Sequence, residues 1–237
     1  MATPVTAYQL GNRLLDALPA GHATGLTGDV VILTLKAKQS TQSAGERMAF
    51  VDFPIDAVLS VIATLKTGET VEVGTVGNES FVELEAALDC TLASRTSFCQ
   101  VEGRVGRMSI ESFQGRMATS DGFARAMRTN VRAALFSSQQ FAVCNLKHTI
   151  VQRCARWLAM TADRVDRVGF SLSREFLAIM LGSKAAAVAE AVERLEQSGA
   201  AVYRGSDVRV LDPRALHDAA CECYALSKAA FAASLSH

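Results

Sequence analysis

LSREFLAIMLGSKAAAVAEAVERLEQSGAAVYRG, residues 172–205, reads as two short amphipathic helices, a tight turn between them, and the start of a hairpin. Ser173 stands where a helix N-cap belongs, with Phe176, Leu177, Met180 and Leu181 spaced behind it. Two helices can cross steeply only through a tight turn, and Gly182 removes the Cβ that would clash there. The second helix is predicted from about Lys184 to Gln197, with Ala187, Val188, Ala191 and Leu195 inward. It stops at Gly199, a natural residue just past a helix end. Short apolar runs at 201–203 and 208–211 then flank Arg204-Gly205-Ser206-Asp207, the pattern of a β-hairpin.

Upstream, residues 147–161 form a further helix with Ile150, Cys154, Trp157 and Leu158 on one face. A polar break over 163–169 and an extended piece at 170–172 lead into the quoted stretch. Helix, helix, turn, helix, hairpin is the order of a winged helix-turn-helix, which delivers its second helix to the DNA major groove. That assigns residues 146–237 to a DNA-binding domain. The alternative is a generic α+β domain that buries the same helices.

Residues 120–145 contain no proline, and Ser120 or Asp121 can cap their start. Phe123, Met127, Val131, Ala134, Ser138 and Phe141 recur at steps of three and four, with Arg125, Arg128 and Arg132 off the stripe. A long helix with one apolar seam seeks a partner, so this stripe is the expected dimer interface. The competing expectation is that it packs on its own domain. Residues 1–119 precede it. A short helix is expected over 8–18, a strand over 30–35, a polar loop over 36–47, and a hairpin pairing 58–65 with 70–76. Further strands at 98–101 and 106–109 make a small antiparallel barrel or sandwich.

The chain has 237 residues, 49% hydrophobic and 20% charged, enough for two packed domains. Lys+Arg and Asp+Glu both total 24, so a case for nucleic acid must be local. Residues 146–237 hold twelve basic and ten acidic side chains, a bias of the expected sign but small. The six cysteines, at 90, 99, 144, 154, 221 and 223, form no CxxC pair. Cys221 and Cys223 are too close for ordinary zinc-ligand spacing, so the cysteines read as buried thiols of a reduced cytoplasmic protein. Neither a signal peptide nor a membrane span is evident, and no membrane partner is expected. GxSxG, HExxH and P-loop motifs are absent, Gly103-Arg-Val-Gly106 does not open a helix, and Glu83 and Glu85 do not converge as an acid–base pair. The chain is not read as an enzyme.

The sequence resembles the Crp/Fnr family of bacterial transcription regulators. The resemblance is carried by NRLLDALP (12–19), VDFPIDAVLSVIATLKTGETVEVGTVGNES (51–80), QVEG (100–103), CNLKHTIVQRCARWLAMTADRV (144–165), LSREFLAIMLGSKAAAV (172–188), LEQSGAAVYRG (195–205) and ACECY (220–224), in the family's order. It implies an α+β protein: an N-terminal antiparallel β-barrel of the double-stranded β-helix or jelly-roll type, a long dimerisation helix, and a C-terminal winged helix-turn-helix. By resemblance the protein is a homodimer on a palindromic promoter site in double-stranded DNA, with RNA polymerase and a small-molecule effector as further partners. The DNA-contact positions are Ser173, Arg174, Ser183, Lys184, Ala186, Ala187, Arg204 and Ser206.

Three departures shape the functional expectation. The second helix carries Ala185, Ala186 and Ala189 where the family favours long polar residues, leaving Lys184 and Glu190. Alanine can offer only a methyl contact, and each missing bidentate pair removes about 1–3 kcal/mol of base discrimination. Readout is then expected to rest on backbone contacts, DNA shape or the wing. The alternative is a protein-interaction module with impaired DNA readout, acting by heterodimerisation. In the nucleotide cassette, Glu83 and Leu84 replace the family's Gly-Glu pair and Arg95-Thr96 lies near the phosphate position, with Met127 the remaining effector candidate. Tight cAMP binding is not expected. The first cysteine is Cys90 and no histidines are paired, so neither an iron–sulfur cluster nor haem is expected, and no cofactor is assigned.

Overall fold

The computed structural model describes residues 9–165 and 169–236. The expected helix start at residue 8, part of the polar break (166–168) and His237 lie outside the described residues. Three one-turn helices lead in: α1 (Arg13–Asp16), α2 (Ala20–Ala23) and α3 (Leu26–Asp29). Asn12 caps α1, and its side-chain amide donates to the carbonyls of Pro54 (2.8 Å) and Ser80 (2.9 Å), pinning this segment to the domain behind it.

The strands follow: β1 (Val30–Leu35), β2 (Ser40–Gln42), β3 (Phe50–Pro54), β4 (Val58–Thr64), β5 (Thr70–Val76), β6 (Thr96–Val101) and β7 (Gly103–Ser109), with a 3₁₀ turn at Leu84–Leu88. They form two antiparallel sheets in the orders β1-β7-β3 and β2-β6-β4-β5. The predicted hairpin is β4–β5, with Gly68 at φ 88° in its turn. The polar loop contains the short edge strand β2. Phe53, Phe81 and Phe113 pack ring on ring in the core, with Phe123 edge-on against Phe113.

Helices α4 (Ile110–Thr119) and α5 (Asp121–Lys147) follow. Ser120 separates them and accepts from the Phe123 amide, as an N-cap does. The first part of the expected dimer stripe is corrected here. Phe123 and Met127 are 0% exposed and belong to the barrel-side core, with Val131 packed against it. Ala134 is half-buried and Ser138 exposed, while Phe141 lies under the Arg156 guanidinium, 4.1 Å from its ring centre. The competing expectation holds for the first part of the stripe: that seam covers the helix's own domain, because the sheets bury only one face without it. What α5 leaves outward is Leu135, Phe136, Val143 and Leu146, the last 82% exposed. Buried Asn130 fixes the helix in register, donating to the Glu79 carbonyl (2.9 Å) and the Ser234 hydroxyl (3.2 Å).

The C-terminal part comprises α6 (Ile150–Val165), β8 (Gly169–Ser171), α7 (Arg174–Met180), α8 (Ala185–Gln197), β9 (Ala201–Arg204), β10 (Asp207–Val210), α9 (Pro213–Ala219) and α10 (Glu222–Ser234). α6 runs past residue 161 into the expected break because Leu158, Met160, Thr161 and Val165 stay buried along it. The wing is the sheet β8-β10-β9. α10 returns along α5, bringing the chain's end back to its middle. Among the described residues, no helix is long and apolar enough to cross a membrane.

Candidate nucleic-acid interface and effector cleft

The helix-turn-helix is built by local capping. The Ser173 hydroxyl accepts from the Phe176 amide (3.1 Å) and starts α7. Gly182 takes φ 56°, and the Ser183 amide reaches back to the Ala178 carbonyl (3.0 Å), closing the turn. Arg153 of α6 braces it from behind, donating to the Leu181 carbonyl and to the Ser183 hydroxyl. Two expected DNA contacts are therefore bonded locally, Ser173 as the cap of α7 and Ser183 within the turn, where its hydroxyl donates to the Leu181 carbonyl. At the start of α8, Lys184, Ala185 and Ala186 are exposed and Ala187 is half-buried. Lys184 occupies the N-cap position without a side-chain capping bond, leaving its ammonium outward beside the helix N-terminus.

Arg174 lies 5.4 Å from the Tyr203 ring centre, and its guanidinium pairs with Glu196 at 3.5 Å. Glu196 also accepts from the Tyr203 amide (2.7 Å), so Arg174 is tied to the wing root. Arg204 and Ser206 are exposed at the wing tip, where Gly205 takes φ 63°. Glu190 is ion-paired with Arg194 at 2.6 Å, one turn along α8. The expected contact set thus divides: Lys184, Ala186, Arg204 and Ser206 face outward, while Ser173, Ser183 and Arg174 are engaged internally. Arg209 is exposed on β10 and was not singled out in the sequence, although its alternation with buried Val208 places it outward.

This unit is docked on the sheet β2-β6-β4-β5. Arg164 pairs with Glu79 (2.7 Å) and donates to the Thr75 hydroxyl (2.7 Å), and a Cβ on Gly77 would collide with its side chain. Phe176 of α7 meets Phe98 of β6 edge-on at 6.0 Å. Trp157 donates its indole N–H to Glu72 at 2.9 Å. Burial pushes the Glu72 carboxyl up to about 7, against the pull of the Ser60 and Trp157 hydrogen bonds.

A cavity of about 130 Å³ opens beside the 3₁₀ turn, among Val61, Val76, Phe81, Glu83, Leu84 and Arg95. Glu83 adopts φ 63°, ψ 51°, the left-handed conformation that a glycine takes freely. Its side chain accepts from the Ser97 hydroxyl at 2.9 Å, and burial, with the neighbouring Asp52 charge second, pushes its carboxyl up to about 8. Three of the expected effector residues, Glu83, Leu84 and Arg95, line this cavity. Two do not: the Thr96 hydroxyl accepts from the Ala44 amide in the β2–β6 region, and Met127 is core.

A second cluster lies where α5 meets α10. Cys144, His148, Cys221 and Cys223 bring their ligand atoms within 4.8 Å of one another and can hold a metal ion. Cys221 and Cys223 alone lack zinc-ligand spacing; the last turn of α5 and its C-cap, His148, supply the rest. Cys99 and Cys154 stand apart as buried thiols, each pushed up to about 12 by burial.

Residues 152–219 match the model of the Crp-like helix-turn-helix domain. The whole fold is similar to FixK2 from Bradyrhizobium japonicum, at 15% identity and TM-score 0.67, covering 81% of this chain and 98% of that one. It is also similar to the c-di-GMP-responsive global regulator CLP of Xanthomonas campestris (16%, TM-score 0.61, 82% and 100%). A CRP-family transcriptional regulator from Thermus thermophilus gives 19% identity and TM-score 0.61, with 79% and 96% covered. No curated protein sequence matches the chain.

Proposed function

We propose that this chain, a DNA-binding transcription regulator by its Crp-like helix-turn-helix within the fold of Crp/Fnr-family regulators, works as a homodimer on palindromic DNA without cAMP. The observation that carries the proposal is the outward presentation of the α8 N-terminus beside the wing. Residues 1–119 serve as the sensing domain, 120–145 as the pairing helix, and 146–237 as the DNA reader. Lys184, Arg204 and Arg209 contact phosphates, and the Ala185–Ala186–Ala187 surface slides close to base edges without bidentate contacts. Discrimination between sites is therefore modest and leans on DNA shape.

Pairing uses the outward face of α5, Leu135, Phe136, Val143 and Leu146, an apolar strip a lone chain would leave in water. The effector cavity favours a small, largely apolar ligand over a cyclic nucleotide. Glu83 fills the position where a nucleotide would approach, and Glu85 stands with Arg95 in the lining of the cavity that an anionic phosphate would have to enter. The family resemblance leaves RNA polymerase as the partner of the DNA-bound dimer. The experiment is genome-wide mapping of bound sites, with Lys184→Ala as control. Enrichment of one palindromic motif, occupied less but still preferred by the variant, supports the reading, and occupancy independent of sequence opposes it.

The alanine surface on α8 also favours a second reading, in which the chain pairs with a related regulator along α5 and leaves base readout to it. Co-purification of such a partner, with no DNA binding by the lone chain, would establish that reading instead.

A further inference from the structure

We propose that Cys144, His148, Cys221 and Cys223 form a closed tetrahedral Zn²⁺ site that locks the two ends of the DNA-binding unit together at the foot of α5. Three thiolates and one imidazole are a structural zinc set. Cys144 Sγ lies 3.5 Å from Cys221 Sγ, and Cys223 Sγ lies 3.5 Å from His148 Nδ1. Zinc bonds of about 2.3 Å to sulfur and about 2.0 Å to nitrogen place tetrahedral ligand atoms roughly 3.5–3.8 Å apart. The cluster is already at that spacing along two edges, and small side-chain rotations close the others.

The one-residue gap between Cys221 and Cys223 works because the two residues differ in backbone. Cys221 is extended (φ −82°, ψ 166°) ahead of α10, while Cys223 lies in its first turn, so the two sulfurs converge. The surroundings suit a metal rather than packing alone. His148 presents Nδ1 to the sulfurs and Nε2 to Glu222 Oε2 at 3.2 Å, so the carboxylate holds the tautomer that frees Nδ1. Gln140 points an amide N–H at Cys223 Sγ (3.2 Å), a donor a thiolate would accept. All three cysteines are buried, at 5% exposure or less, which leaves no open coordination position and no place for chemistry on substrate.

Topology gives the site its consequence. The chain leaves α5 at His148, builds α6 through α9, and returns at Cys221. One ion bonded to both ends closes that excursion and fixes the reader's angle to α5. Loading exchanges three thiol protons, released to solvent, for one Zn²⁺, with no change in oxidation state. Thiolate-rich tetrahedral donors favour Zn²⁺ over the hard cations.

The test uses the full-length reduced chain, stripped of metal and titrated anaerobically with Co²⁺. One equivalent per chain should give intense visible bands and thiolate-to-cobalt charge transfer, both bleached by Zn²⁺. Cys144→Ser and Cys223→Ser should each reduce the charge-transfer intensity and weaken Co²⁺ binding by about tenfold or more, Glu222→Gln should weaken binding about tenfold, and Cys90→Ser should change nothing. Circular dichroism checks folding, and Glu222→Gln, at an exposed position, covers the case in which a cysteine variant fails to fold. Absence of the charge-transfer band in the folded wild type overturns the site. So does an undiminished band in Cys144→Ser, or unaltered affinity in Glu222→Gln.

Discussion

Trp157 of α6 donates its indole N–H to the Glu72 carboxylate of β5 at 2.9 Å, across the contact between the DNA-binding unit and the sheet. Trp157 is the chain's single tryptophan, so its emission reports on this contact alone. Glu72 is raised from 4.5 to about 7. Between those values the folded chain keeps a proton that the unfolded chain has released. Stability from this group is therefore complete below about pH 4.5 and declines until the pH passes about 7. Thermal unfolding followed by Trp157 emission should lose midpoint temperature over that window, and Glu72→Gln should flatten the loss. An identical slope in the variant would show that Glu72 is not the titrating group.

Glu83 gives a parallel effect in the cavity beside the 3₁₀ turn, with its window extending to about pH 8. Glu83→Gln should remove the upper part of the decline. The same residue bears on ligand choice: calorimetric titration with cAMP should show no binding at micromolar concentrations. Micromolar affinity would mean that Glu83 and the 3₁₀ turn rearrange to admit a nucleotide.

The two faces of α5 should separate under mutation. Phe123→Ala, inside the core, should destabilise folding by about 3–5 kcal/mol and Met127→Ala by about 2–5 kcal/mol. Leu146→Glu, at an 82% exposed position, should leave chemical denaturation nearly unchanged while shifting the chain from dimer to monomer in analytical ultracentrifugation. A Leu146→Glu chain that remains a full dimer would place the interface elsewhere.

Lys184→Ala should weaken DNA binding at every sequence alike and lower the salt slope by about one. Arg174→Ala should act differently. Its guanidinium is tied to Glu196 and Tyr203, so the loss should register in thermal stability before it registers in affinity. Equal effects of the two substitutions on affinity would mean that Arg174 leaves Glu196 when DNA arrives.

The C-terminal architecture was legible because its signals are local. Ser173, Gly182, Gly199 and Gly205 each do in the structure what their residue type requires at that position. The hairpin β4–β5 was legible for the same reason. The outward face of α5 was not, since a helix with apolar residues on more than one side does not say which side its own domain takes. Phe123 and Met127 went to the barrel, and Leu135 and Leu146 were left over. The cluster of Cys144, His148, Cys221 and Cys223 was hidden by a separation of more than seventy residues, and only the return of α10 along α5 brings its halves together. The bonds that Ser183 and Arg174 make inside the unit were not legible, because they depend on the three-dimensional path of the turn and wing.

Whether the chain reads sequence is decided by fluorescence anisotropy with two duplexes, one carrying the palindrome recovered by site mapping and one scrambled, across a range of salt. The palindrome should bind more tightly, by less than about 10³-fold given the alanines at the tip of α8, with affinity falling steeply as salt rises. Equal affinity for the two duplexes, or no binding by the homodimer at low salt, would contradict that reading.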